Sequence, residues 1–209
     1  MSNRPSLSGA SAQLPQLRIM ATATLPTRFG PFRVHSFRRQ DGVAIDDLAL
    51  VRGDLQAGPP PLTRIHSECV TGDALGSIRC DCRDQLELVL RQIDERERGL
   101  VLYLRQEGRG IGTANKISAY ELQDGGLDTV QANLHLGYKD DMRSYEVAAA
   151  MLRAIGLSAI ELSTNNPRKV SELEAFGIEV KKRVANIAPA RPENRVYLET
   201  KRDKFNHLL

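Results

Sequence analysis

The sequence contains no tryptophan and only five phenylalanines and five tyrosines in 209 residues. A protein that grips single-stranded nucleic acid needs aromatic faces for bases to stack on. With a formal net charge of only +3, it also lacks the basic excess that holds a phosphate backbone, so nucleic acid is not an expected partner. No run approaches the ~20 apolar residues needed to span a bilayer. No apolar stretch separates Arg4 from Arg18 to serve as a secretory signal, and no membrane association is expected. Cysteine is scarce as well: three residues, an odd number, two of them separated by one position. That is a poor disulfide framework and points to a reducing cytoplasm in which the thiols serve another purpose.

Against these absences stand 41% apolar and 26% charged residues, the balance of a globular chain long enough to bury a core. Residues 1–20 open with a Ser-, Ala- and Pro-rich stretch and are expected to form a disordered tail, leaving 21–209 as the folded domain. Apolar and β-branched residues predict strands at 43–51, 62–66, 100–104, 159–162 and 178–180. Helical spacing of Leu86, Val89, Leu90 and Ile93, and similar patterns over 115–123, 144–155 and 168–176, predict helices, with Gly99, Gly156 and Gly177 as stops. Alternating strands and helices predict an α/β fold, a mixed sheet flanked by helices in a single compact domain.

Three clusters carry chemistry. Cys69, Cys80 and Cys82 fall within fourteen positions, flanked by His66, Glu68, Asp73 and Asp81. Three thiolates suit tetrahedral Zn²⁺ and leave one corner for water, the pattern of a catalytic ion; His66 as a fourth ligand would make the site structural. Residues 105–112, Arg-Gln-Glu-Gly-Arg-Gly-Ile-Gly, follow a predicted strand. Glycine there lets backbone N–H groups approach an anion, and arginine binds phosphate bidentately. It is not a Walker loop, which ends in Gly-Lys-Ser/Thr. A second polar, basic turn, Thr164-Asn165-Asn166-Pro167-Arg168-Lys169, ends another strand, and Asn is a residue that reads purine edges. Asp140 and Asp141 precede a predicted helix, where capping alone could account for them. Tyr120 lies on a helical stretch, where a core role is the plain alternative.

Together, 64–73, 77–82, 103–112, 115–117, 119–120, 122–124, 128–130, 132–133, 136–137 and 164–167 closely resemble the second type of GTP cyclohydrolase. The resemblance implies conversion of GTP to 2,5-diamino-6-(5-phospho-ribosylamino)pyrimidin-4(3H)-one, formate and pyrophosphate, at the start of riboflavin synthesis. It implies one Zn²⁺ per subunit on Cys69, Cys80 and Cys82 plus water, Mg²⁺ with the triphosphate, and a cytoplasmic homodimer. It places Arg64, Ile65, His66, Ser67, Glu68, Gln85, Glu107, Gly108, Arg109, Thr129, Thr164 and Lys169 against GTP. Asp141 matches a proton acceptor, Arg143 a nucleophile, and Tyr120 a tyrosine near the opening ring. A guanidinium stays protonated in water, so an electrostatic role for Arg143 is the rival reading. A zinc-stabilised GTP-binding homologue with lost or truncated turnover is the rival for the whole chain. The family usually has glycine where this chain has Arg83, a cation expected beside the metal. The family also occurs fused to a dihydroxybutanone-phosphate synthase; this chain is expected to be monofunctional.

Overall fold

The first three strands, β1 (Leu17–Thr27), β2 (Gly30–Arg39) and β3 (Ala44–Arg52), form an antiparallel meander. They belong to a computed structural model that describes residues 14–209. The central residues of β1 are exposed, and its whole length pairs with β2, from Leu17 opposite Arg39 to Thr27 opposite Gly30. Backbone pairing rather than apolar burial makes this strand, so the expected tail to residue 20 is corrected: residues 17–20 belong to the sheet. Residues 1–13 lie outside the described residues.

The rest of the chain alternates: β4 (Leu62–Ser67), α1 (Val70–Asp73), α2 (Cys82–Glu95), β5 (Gly99–Leu104), α3 (Thr113–Asp124), α4 (Thr129–His135), α5 (Glu146–Ile155), β6 (Ala159–Ser163), α6 (Pro167–Ala175), β7 (Glu179–Val184) and α7 (Arg195–Phe205). The seven strands form one sheet in the order β1-β2-β3-β5-β4-β6-β7. β3 pairs antiparallel with β5, whereas β5, β4, β6 and β7 run parallel. The sheet is therefore mixed and flanked by helices, as the strand–helix alternation predicts.

The core follows the period of two along strands. On β5, Leu100, Leu102 and Leu104 join Ile65, Met151, Leu152 and Ile160 under α5 and α6, while Val101 turns to the other face with Leu62, Val89 and Ile93 of α2. Gly99 opens β5 rather than ending the preceding helix: a Cβ there would sit 2.6 Å from the Leu62 carbonyl oxygen. Burial on both faces explains why β5 reads as a continuous apolar run.

This topology fixes where a ligand binds. β4 crosses through α2 to β5 on one side, and β6 crosses through α6 to β7 on the other. The connections leave adjacent parallel strands in opposite directions, which opens a crevice at their carboxyl ends. Residues 67–69, 105–112 and 164–169 all emerge there.

Candidate active site

Cys69 follows β4, Cys80 lies in the turn after α1, and Cys82 is the first residue of α2. Their Sγ atoms all lie within 4.8 Å of one another, and Cys69 and Cys80 are 3.6 Å apart, as free thiols. A tetrahedral Zn²⁺ with bonds of ≈ 2.3 Å needs sulfurs about 3.8 Å apart. The donor set is compatible with a zinc site. Gly72 makes the approach possible, since a Cβ there would lie 3.1 Å from Cys80 Sγ and 3.2 Å from Cys69 Sγ. Lys116 Nζ donates to Cys69 Sγ at 3.1 Å, to Thr71 Oγ1 at 2.8 Å and to Glu107 Oε1 at 2.8 Å. Hydrogen bonds from Cys80 and Cys82, aided by the Lys116 charge, hold the Cys69 thiol far below the usual range; the same sharing pushes Cys80 up to about 11.

His66 is not a fourth ligand. Its Nε2 lies 3.0 Å from Asp73 Oδ2 and its ring stacks on Tyr103, because Leu62, Arg64 and His66 share the face of β4 opposite Ile65. Arg83 reaches one turn along α2 to Glu87, at 2.9 Å.

A cavity borders all three cysteines. Ser67, Glu68, Glu107, Gly108, Thr129 and Tyr120 also line it. Tyr120 is not a core residue: Oη is 3.3 Å from Thr71 Oγ1, and the Arg79 guanidinium lies 4.4 Å over its ring. Glu107 anchors the glycine loop by accepting from Val70 N at 2.5 Å and Gly108 N at 2.9 Å. Gly108 and Arg109 both adopt left-handed backbone, φ 62° and 61°, which glycine takes freely and arginine at some cost. Met142 N donates to the Arg109 carbonyl at 3.0 Å, tying this loop to residues 140–143.

Arg109 and Arg143 border this cavity and also a second one, which Arg64, Gln85, Thr164 and Lys169 line. Arg64, 5% exposed, donates to Gln85 Oε1 at 2.6 Å and to the Ser163 carbonyl at 3.0 Å. Lys169 donates to the Ile65 carbonyl at 2.7 Å. Among the described residues, Arg64, Arg109 and Lys169 have no carboxylate within salt-bridge distance. Burial first, then repulsion from Arg64 and Arg143, drives the Lys169 pKa well down. Such a pocket is built for an anion.

Arg143 donates from Nε and Nη2 to Asp141 Oδ1 and Oδ2, at 2.9 and 2.6 Å. Burial opposes its charge, but Tyr145 and Asp141 outweigh that, and the guanidinium pKa is raised. Asp141 does not cap α5; it accepts from the Arg143 N–H at 3.0 Å and also pairs with Arg168 at 3.3 Å.

Some expected contacts fall elsewhere. The Ile65 side chain is fully buried in the core, so only its backbone faces the site. Asn165 clamps Asn186 through both amide atoms, and Asn166 caps α6, which commits both to structure rather than to reading a purine edge. Lys116, Gly72 and the α7 residues Tyr197 and Lys201 border the site without having stood out in the sequence. Lys116 lies on a motif-like stretch, but α7 carries no local chemical signature.

A sequence profile described as GTP cyclohydrolase II matches residues 18–185. The chain belongs to the GTP cyclohydrolase II family. It is 52% identical over 190 residues to the GTP cyclohydrolase-2 of Pseudomonas paraeruginosa, covering 91% of this chain and 92% of that protein. The GTP cyclohydrolase-2 of Azotobacter vinelandii is likewise 52% identical, covering 91% of each. The riboflavin biosynthesis protein RibBA of Bacillus mycoides is 48% identical over 186 residues. That alignment takes in 89% of this chain and 47% of RibBA, so the chain spans about half of that longer relative. The family segment covers the cysteines, the glycine loop and the basic turn at 164–169 but ends before α7. Among the described residues, no helix is long and apolar enough to cross a membrane.

Proposed function

We propose that this protein is a cytoplasmic, homodimeric, zinc-dependent GTP cyclohydrolase II that hydrolyses GTP to 2,5-diamino-6-(5-phospho-ribosylamino)pyrimidin-4(3H)-one, formate and pyrophosphate, supplying riboflavin synthesis. The observation that carries this reading is the junction of two unlike cavities, one bordered by three thiols and one lined by unpaired cations, at Arg109 and Arg143. A nucleoside triphosphate has the same two ends, a base to be opened and a polyanion.

Zinc on Cys69, Cys80 and Cys82 would supply Lewis acidity for hydrolysis of the guanine imidazole ring. The protein's own groups do the rest. Tyr120, a phenol within reach of the cluster through Thr71, donates a proton to a ring nitrogen as it leaves. The Glu107–Lys116 pair holds the cluster side of the cavity rigid and charge-balanced. Arg64, Arg109 and Lys169 take the polyphosphate, where arginine's planar fork matches phosphate oxygens. Mg²⁺ would supply charge neutralisation at that polyphosphate; Asp81 and Asp141 are already paired with Lys201 and Arg143.

Arg143 acts as a fixed cation at the α-phosphate rather than as a nucleophile. A bidentate carboxylate and a raised pKa keep the guanidinium protonated, and a protonated guanidinium has no lone pair to give. The test is direct: zinc-loaded protein given GTP and Mg²⁺ releases formate, and Cys80→Ser protein does not. Absence of formate from the unaltered, zinc-loaded protein sinks the proposal.

A further inference from the structure

The cationic cavity is roofed by a segment that lies beyond the family-matched region. Tyr197, Lys201 and Phe205 of α7, with His207 just after it, face Arg64, Gln85, Thr164 and Lys169 across the cavity. Asn206, in the left-handed conformation at φ 53°, ends α7 and turns the chain back. The returning tail is pinned where the Leu208 N–H donates to the Asn165 carbonyl at 2.9 Å, in the turn after β6. Lys201 Nζ lies 2.5 Å from Asp81 Oδ1, and Lys204 Nζ lies 2.5 Å from Asp128 Oδ2 at the cap of α4. The segment thus fastens to three separate walls of the site.

It also grips Arg109. The guanidinium lies 4.1 Å over the Phe205 ring and 5.9 Å from the Tyr197 ring, close enough for both aromatic faces to orient it. Its Nη1 is buried without a partner. Arg64 Nε and His66 Nδ1, on side chains only 5% and 2% exposed, are buried without partners in the same cavity, and so is His207 Nδ1. Unmade hydrogen bonds at buried groups are costly, and four such atoms around one cationic space mark a polar ligand. Burial first, then the charges of Lys201, Arg143, Lys169 and Arg109, push the His207 pKa down to about 3.

We infer that residues 195–209 are part of the substrate site: Tyr197 and Phe205 position Arg109, and Lys201 and His207 bind the polyphosphate of a nucleoside triphosphate from above. The inference rests on the cyclohydrolase reading for the identity of the triphosphate, not for the chemistry of the subsite. It makes the helix a closing wall whose loss is felt at the phosphates and not at the base.

The test uses the full-length, zinc-loaded protein and two probes, inorganic pyrophosphate with Mg²⁺ and guanosine, each titrated by calorimetry. Phe205→Ala is expected to weaken pyrophosphate by roughly tenfold, the scale of one misplaced charge-assisted contact, and to leave guanosine within about twofold. His207→Ala, which removes no aromatic packing from Arg109, is expected to shift in the same direction by less and serves if Phe205→Ala fails to fold. In turnover, both variants raise KM for GTP more than they lower kcat. Equal loss of both probes would make the segment a mere support of the fold, and unchanged pyrophosphate binding would remove it from the site; either overturns the inference. Binding of pyrophosphate by a protein that releases no formate would overturn the cyclohydrolase reading while leaving this one standing.

Discussion

At the scale of single residues, the site depends on close approaches that only particular side chains permit. Gly72 is the sharpest case, because a methyl group there meets two sulfurs at 3.1 and 3.2 Å. Gly72→Ala is expected to lower zinc content, read by metal analysis of purified protein, while circular dichroism stays native; full zinc occupancy would refute that role. Arg143 separates two chemistries. As a fixed cation it tolerates lysine in part, and Arg143→Met is expected to lower kcat by about 10²–10³-fold, the scale for a lost charge-stabilising group. Intact mass spectrometry during turnover should find no nucleotidyl adduct on Arg143, and a stable adduct would restore the nucleophile. Asp141 supplies a pH signature. Burial alone would raise its pKa, but the Arg143 hydrogen bonds and charge win, and the folded value is lowered. Its stabilising contribution is therefore complete above the unfolded value of about 3.9 and lost as pH falls through the lower folded value. Asp141→Asn should flatten the fall of urea-unfolding stability in that acid window; an unchanged slope would contradict the pairing.

At the scale of elements, the sequence is most legible where periodicity and burial agree. β4, β5, α2, α3, α5 and α6 fall within a few residues of the spans their apolar patterns predict, and Gly156 and Gly177 end helices with positive φ as expected. β1 and β2 carry no such signal: β1 is exposed along its length and exists through its ladder with β2. α7 is missed for a related reason. Its inward residues, Tyr197, Lys201 and Phe205, contact a site rather than an apolar core, so no hydrophobic stripe announces it. The cysteine cluster is legible because three soft ligands so close in sequence have few other uses; the partners that tune it, Lys116 above all, come from distant elements. Packing tests the central strands. Leu102, fully buried under α5, should cost about 2–5 kcal/mol as Leu102→Ala in urea unfolding. A loss below 1 kcal/mol would mean that the parallel strands are not the core that holds the crevice.

At the scale of the whole molecule, the fold brings three loops to the carboxyl ends of β4, β5 and β6 and sets unlike chemistries side by side: thiols at one end, unpaired cations at the other. Neither half alone specifies a reaction. Buried cations bind any polyphosphate, and three thiols bind zinc for structural or catalytic ends alike. Their junction at Arg109 and Arg143, in a chain of the GTP cyclohydrolase II family, supports the proposed ring opening of a bound nucleotide. The most direct measurement is mass spectrometry of the products after zinc-loaded protein has consumed GTP in the presence of Mg²⁺, with formate and pyrophosphate quantified alongside. The account predicts a diaminopyrimidine carrying the ribose 5-phosphate, with one formate and one pyrophosphate per GTP. Intact GTP, or a nucleotide that has lost pyrophosphate but kept its imidazole carbon, would contradict it.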